Sequence, residues 1–306
     1  YDGLIKENIQ LSKKFPDDHF IHDRLARNYV AGGYIKKAKF HFSESLKLQR
    51  KEKILKGQPG LIVLASMNRA GTTFVSNSII DGLKLKLVNM PYHDVFYPDY
   101  TMIHLPSYAT HWKFLPMPDG FWNGHIPATE PNLWCLSLVT DKIIVNFRDP
   151  RQQLISFIHH LEYLRAKGEF FGVIQYQTPE EYFTWSLEKK LDWQIENGCV
   201  PSSIKWIEGW MKAANDPQFH CEVLFCQQNT LAQNPKKYFQ DILSFYGIPE
   251  NKFKYPLNPK FKGKSFSLRS GQTDEWKKVL KAEQIKKIEN LIPESWFQQF
   301  NWDRTI

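Results

Sequence analysis

The sequence predicts an α/β fold, a parallel sheet flanked by helices, preceded by a small all-α extension. Three observations predict it. Apolar runs at 61–65, 142–147 and 222–225 are too short for helices and suit strands buried between two layers. Each run is followed by a stretch with helical periodicity, and strands alternating with helices build a parallel sheet covered on both faces. The first 57 residues contain no such runs; they are charged and helical in pattern.

Within residues 1–57, Gly32-Gly33 separates two helical arms. Leu25, Ala26 and Tyr29 lie on the first arm, and Tyr34, Ala38, Phe42 and Ser45 on the second. Small residues let two helices approach, and aromatics fill the angle between them. That order resembles one tetratricopeptide repeat; a plain helical hairpin packed on the following domain fits equally well. Either way, one such unit cannot bury its apolar face alone. It must lean on the main domain, which we expect to span 58–306, on repeats upstream, or on a protein partner or second copy.

Residues 60–73 read as strand, polar turn and helix. Leu61 to Ala65 form the strand, Arg69 and Gly71 lie in the turn, and a helix over 72–81 carries Phe74, Val75, Ile79 and Ile80, with Gly82 just past its end. Turn N–H groups and the positive end of a helix dipole then point at one spot, which is an anion cradle. Against the nucleotide pattern G-x-x-x-x-G-K-[ST], Ser66 stands for the first Gly, Gly71 for the second, Thr72 for the Lys and Thr73 for the hydroxyl residue. Without that Lys the loop lacks its grip on a nucleoside triphosphate. The cation is Arg69 instead.

Further along, 84–89 suits a short strand. Residues 91–122 lack periodicity and are rich in Pro and aromatics, the composition of a binding loop for an acceptor or of a cover for the core. Strand 142–147 runs into Arg148-Asp149-Pro150, where Asp149 is a good N-cap and Pro150 a good first helical residue. Helices are expected at 178–196, 203–214 and from Asn234-Pro235 to Gly247. Ligands of parallel sheets sit at the carboxyl ends of the strands, where both Arg69 and Arg148 fall.

The formal net charge of +8 favours anionic ligands. The 40 Lys and Arg are dispersed, so neither a nucleic-acid-binding tail nor a membrane-binding one is expected. No run approaches transmembrane length. Four Cys without metal-ligand spacing or a disulfide framework fit a reducing, cytoplasmic compartment and free buried thiols. The chain begins at Tyr1, which leaves room for an upstream anchor or domain.

Four motifs in order resemble those of the sulfotransferases that use 3′-phosphoadenosine 5′-phosphosulfate (PAPS). Arg69-Ala70-Gly71-Thr72-Thr73 matches the family's [Lys/Arg]-Ser-Gly-Thr-Thr opening of a helix. Arg148-Asp149-Pro150 with Ser156 matches Arg-[Asp/Asn]-Pro with a Ser eight positions after the Arg. Arg269, Gly271, Trp276 and Lys277 match Arg-x-Gly-x-x-x-x-Trp-Lys, and Gly124-His125-Ile126-Pro127 occupies the place of Thr-His-[Leu/Ile]-Pro. The likeness spans about 58–280 and implies the P-loop nucleotide-kinase-like sulfotransferase fold.

The resemblance implies roles as well. Arg69, Ala70, Gly71, Thr72, Thr73 and Phe74 would wrap the 5′-phosphosulfate of PAPS. Arg148, Ser156, Arg269, Ser270 and Gly271 would hold the 3′-phosphate. His125 would be the general base, taking the proton of an acceptor hydroxyl as it attacks sulfur in line. Arg69 would assist departure of adenosine 3′,5′-bisphosphate electrostatically, since an Arg gives up no proton. The resemblance requires no metal.

This chain departs from the pattern in places. Asn123-Gly124 replaces a common Lys-Thr, Phe74 a common Trp, and Asp274-Glu275 a Gly-Asp, while Ser267 stands where an adenine-stacking Phe is frequent. The acceptor is expected to be a small molecule with a hydroxyl group, walled by the aromatic 91–122 segment and by 159–176; the basic balance also admits an acidic glycan, and an amine acceptor stays open. Competing readings are a P-loop kinase, opposed by Thr72, and a non-catalytic binding module that uses the helical repeat.

Overall fold

The computed structural model describes residues 2–55, 61–88, 92–93, 102–103, 120–169, 178–256 and 273–305. Arg269, Ser270 and Gly271 lie outside the described residues, as does most of the aromatic 91–122 segment.

The extension holds three helices, α1 (Asp2–Lys14), α2 (His19–Ala31) and α3 (Ile35–Leu55). Asp18 caps α2 by accepting from the Phe20 amide, and the chain reverses at Gly32-Gly33. Leu25, Ala26, Tyr29 and Ala38 are buried between the helices, joined by Ile5 and Ile21. Ser45 is buried too, its hydroxyl donating to the His19 carbonyl. Tyr34, expected inside, is 46% exposed.

The main body begins with β1 (Leu61–Ser66), followed by α4 (Thr72–Leu83). Two short strands, β2 (Tyr92–His93) and β3 (Met102–Ile103), pair antiparallel with each other. Next come β4 (Gly120–Gly124), α5 (Glu130–Val139), β5 (Lys142–Phe147) and α6 (Pro150–Lys167). After a 3₁₀ turn at Glu180–Thr184, α7 (Leu187–Glu196) and α8 (Cys199–Ala214) lead to β6 (Glu222–Gln227), α9 (Gln228–Gln233) and α10 (Pro235–Phe245). A second 3₁₀ turn, Glu250–Lys252, and helices α11 (Trp276–Val279), α12 (Ala282–Leu291) and α13 (Glu294–Gln299) close the described chain.

The sheet runs β4-β1-β5-β6 with every pair parallel. Alternation along β1 feeds two cores: Leu61, Val63 and Ala65 face one layer with α6 and α8, while Ile62 and Leu64 face another with α4 and α10. Burial of a side chain such as Val63 or Ile143, each fully enclosed, contributes about 1.5–3 kcal/mol. The extension joins the first layer. Leu46 is part of that core, Phe42 packs on it, and Lys39 lies 4.7 Å from the ring centre of Trp134 on α5.

Several boundaries differ from expectation. The helix after the turn runs through Gly82 and ends at Lys84, which takes the left-handed cap conformation. Gly82 serves another need: a Cβ there would come within 2.2 Å of the Phe253 ring. Of the expected strand 84–89, residues 84–88 are described, and among them the pairing is a single bridge, Leu87 to Phe121, on the outer side of β4. Phe121 and Trp122, read as part of an irregular segment, are buried in β4. Glycine at both ends of that short run, Gly120 and Gly124, masked its strand pattern. The expected helix 178–196 is broken at Trp185-Ser186, where Ser186 caps α7 by accepting from the Lys189 amide. Helix α8 starts at Cys199, four residues early, because Pro201 is accommodated in its first turn.

Candidate active site

Parallel pairing puts the carboxyl ends of all four strands at one edge. The turn 67–71 leaves β1 there, His125 follows β4, Arg148 follows β5 and Gln228 follows β6. Residues far apart in sequence meet for that reason.

The turn is tightly wound. Arg69 (φ 65°) and Gly71 (φ 87°) are both left-handed. For Gly71 this is free of strain; for Arg69 it costs about 1–2 kcal/mol, sustained by the surrounding bonds. Those bonds come from several elements. The Met67 amide donates to the Asn146 carbonyl at 2.8 Å, and Gln153 Nε2 on α6 donates to the Asn68 carbonyl at 3.0 Å. Gln153 Oε1 in turn accepts from the Ser203 hydroxyl. Gly71 is the N-cap of α4, which therefore has no side-chain cap bond. The position where a triphosphate loop carries Lys holds the Thr72 hydroxyl, 2.7 Å from Ser66 Oγ.

The two expected cradles are contiguous. Arg69 Nε donates to Ser156 Oγ at 3.2 Å, and Arg148 Nη1 donates to the Arg69 carbonyl at 3.2 Å. Ser156 therefore faces the guanidinium of the first cradle. Helix α6, which carries Ser156, is fixed at its start: Asp149 accepts from the Arg151 amide at 2.9 Å. The Arg151 guanidinium is fully buried, paired with Asp149 and Glu289 at 2.7 Å each and lying 4.0 Å from the Trp276 ring centre.

His125 Nδ1 lies 2.7 Å from the Ser66 carbonyl. A carbonyl only accepts, so Nδ1 carries the hydrogen and Nε2 is the basic nitrogen. The following residues are held by Trp210 Nε1 donating to the Ile126 carbonyl at 2.9 Å and Asn132 Nδ2 to the Pro127 carbonyl at 3.0 Å. Asn123, just before, donates to Ser76 Oγ on α4 at 2.8 Å.

His160 lies in the 159–176 segment expected near the acceptor but was not singled out. Burial first, then the positive charge of Arg69 and the neighbouring His125, push its imidazole down to about 4. It is neutral at pH 7 and close to both. The available signal was its position four residues after Ser156, hence on the same face of α6. Asn146 was also missed, although a polar residue inside the apolar 142–147 run demands partners.

The profile of the sulfotransferase domain family matches residues 131–300, more than half of the chain. The chain belongs to that family. Among solved structures it is similar to the mouse sulfotransferase SULT7A1 complexed with PAP, at 16% identity and a TM-score of 0.49, over 76% of this chain and 82% of that one. No curated protein matches the sequence significantly.

Proposed function

We propose that this sulfotransferase moves a sulfonyl group from PAPS to the hydroxyl of a small-molecule acceptor. The observation that supports it most is the meeting of Arg69, Ser156, Arg148 and His125 at one sheet edge, linked by the bonds from Arg69 to Ser156 and from Arg148 to the Arg69 carbonyl. A left-handed turn opening a twelve-residue helix, beside two guanidinium groups, fits an anion with more than one phosphate. Residues 69–74 would hold the 5′-phosphosulfate, and Arg148 with Ser156 the 3′-phosphate; Arg269, Ser270 and Gly271 retain their role from resemblance alone. When bound, PAPS supplies the activated sulfonyl group. His125 Nε2 accepts the acceptor proton while its Nδ1 hydrogen stays on the Ser66 carbonyl. Arg69 balances the negative charge that develops beside the turn. The chemistry of these residues needs no metal, and among the described residues no cluster of metal-ligating side chains occurs.

The division into 1–57 and 58–306 belongs to the same proposal. Its support is the small separate core around Leu25 and Tyr29, against which Leu46 is the tie to the larger body. Exposed Phe20, Val30 and Phe40 support association through these helices. Four free, buried cysteines support a cytoplasmic setting; among the described residues no helix is long and apolar enough to cross a membrane.

The test is a thermal shift with adenosine 3′,5′-bisphosphate against Mg-ATP, followed by turnover of PAPS with a panel of hydroxyl acceptors. A rise in Tm with the bisphosphate alone is expected. A rise only with Mg-ATP would point to a triphosphate enzyme and end this reading.

A further inference from the structure

Beneath the turn, four side chains form a directed hydrogen-bond relay. Asn146 is fully buried at the end of β5. Its Nδ2 lies 3.0 Å from the Ala70 carbonyl and 3.1 Å from Ser66 Oγ, and its Oδ1 lies 2.9 Å from the Tyr238 hydroxyl on α10. The Ala70 carbonyl only accepts, which fixes the amide's orientation: NH₂ toward the turn, oxygen toward Tyr238. Tyr238 must then donate. Burial, chiefly, raises its phenol well above the ordinary value, so the hydroxyl keeps its proton.

Direction propagates from there. Both Asn146 hydrogens point at the turn, so Ser66 Oγ accepts one of them. The Ser66 hydrogen has two destinations, Thr72 Oγ1 at 2.7 Å and the Met67 carbonyl at 3.4 Å, and the shorter is much the stronger. With its oxygen accepting from Ser66, Thr72 turns its own hydrogen away from the relay. That hydrogen sits at the first position of α4, in the cradle. Chains of this kind polarise each member in one sense.

We propose that Asn146 is a positioning residue for sulfonyl transfer, which through Ser66 makes the Thr72 hydroxyl an obligate donor toward the bound anion. This rests on the reading of the turn as the 5′-phosphosulfate site. Asn146 also fixes Ser66, whose carbonyl orients His125, so one buried amide sets both the cradle and the tautomer of the base. Tyr238 is the relay's outer anchor.

The test compares affinities for adenosine 3′,5′-bisphosphate and adenosine 3′-monophosphate, which lacks the 5′-phosphate. In Asn146→Leu the bisphosphate should bind about tenfold more weakly, the loss of one charge-assisted bond, with the monophosphate unchanged. Asn146→Asp should lose more, because a carboxylate accepts only and reverses the relay. In a Thr72→Val background, Asn146→Leu should have no further effect. Tyr238→Phe removes one hydroxyl and should cost about threefold on the bisphosphate alone; it carries the test if Asn146→Leu fails to fold. Equal losses for both ligands, or additive effects of Asn146→Leu and Thr72→Val, would overturn the proposal. Wild-type protein that binds both ligands equally would overturn the reading of the turn itself.

Discussion

The turn at 66–73 and the helical extension at 2–55 hold their shapes by opposite means. The turn sinks two apolar side chains, Met67 and Ala70, into the large core, and its remaining residues are polar or Gly. It is fixed by Asn146 from β5, Gln153 from α6 and Tyr238 from α10, residues 76 to 92 positions away along the chain from one bonded partner or another. The extension is built from near neighbours: α2 packs on α3 across a short reversal, around Leu25, Tyr29 and Ala38. Its link to the body is a few side chains on α3, Leu46 and Phe42 among them. A region held by long-range polar bonds keeps donors and acceptors in fixed directions, which suits chemistry. A region held by local apolar packing can change without disturbing that geometry.

Substitutions can break or sharpen the contrast. His125→Ala should lower kcat by about 10²–10⁴-fold, the usual contribution of a general base, with little change in Tm. If single-turnover measurements with PAPS show a loss below tenfold, the base lies elsewhere. Leu25 is wholly buried in the extension, and Leu25→Ala should cost about 2–5 kcal/mol of stability within that unit. Hydrogen exchange should report the opening in 2–55 while kcat/KM stays within twofold; a parallel fall in activity would mean that the regions are coupled. Gly71→Ala places a side chain at φ 87° for a strain of about 1–2 kcal/mol. Space is adequate, with Leu231 Cδ2 3.6 Å from the added carbon, so the effect should fall on bisphosphate affinity rather than on expression.

The smallest effect concerns acid. His41 faces His22, Glu44 and the stacked Tyr29 ring. Burial first, then His22, lower its imidazole from 6.5 to about 4. The folded state favours neutral His41, so this stabilisation is complete above pH 6.5 and is lost as pH falls toward 4. His160 in the site titrates in the same sense. Melting temperature should therefore decline through that window, and His41→Gln should flatten part of the decline without changing turnover. An unaltered decline in that variant would assign the acid sensitivity to the site.

Strands β1 and β5 were legible because residues 61–65 and 143–145 are apolar without a break, and Arg69 and Arg148 were singled out because ligands of parallel sheets sit at strand ends. Strand β4 was hidden: it is five residues with Gly at both ends, and its identity depends on pairing with β1. The break before α7 was hidden likewise, since Thr178-Pro179-Glu180-Glu181 is as good a start for a 3₁₀ turn as for a helix. His125 was singled out through its motif alone. Its anchorage on the Ser66 carbonyl and the partners of Asn146 are tertiary facts; local pattern hints only that Asn146 needs partners and that His160 shares the α6 face of Ser156.

The buried Arg151 has a bearing on synthesis. Its guanidinium is neutralised in part by Glu289 and also donates to the Asp303 carbonyl, 138 and 152 positions later. On a ribosome, the start of α6 therefore emerges long before the groups that let its charge be buried. Until residues 289–303 leave the exit tunnel, Arg151 has Asp149 as a partner but lacks Glu289 and the Asp303 carbonyl, so its burial is only partly compensated and α6 is not yet held as in the folded protein. Seating of α6 is thereby coupled to folding of the segment that carries Glu289 and Asp303.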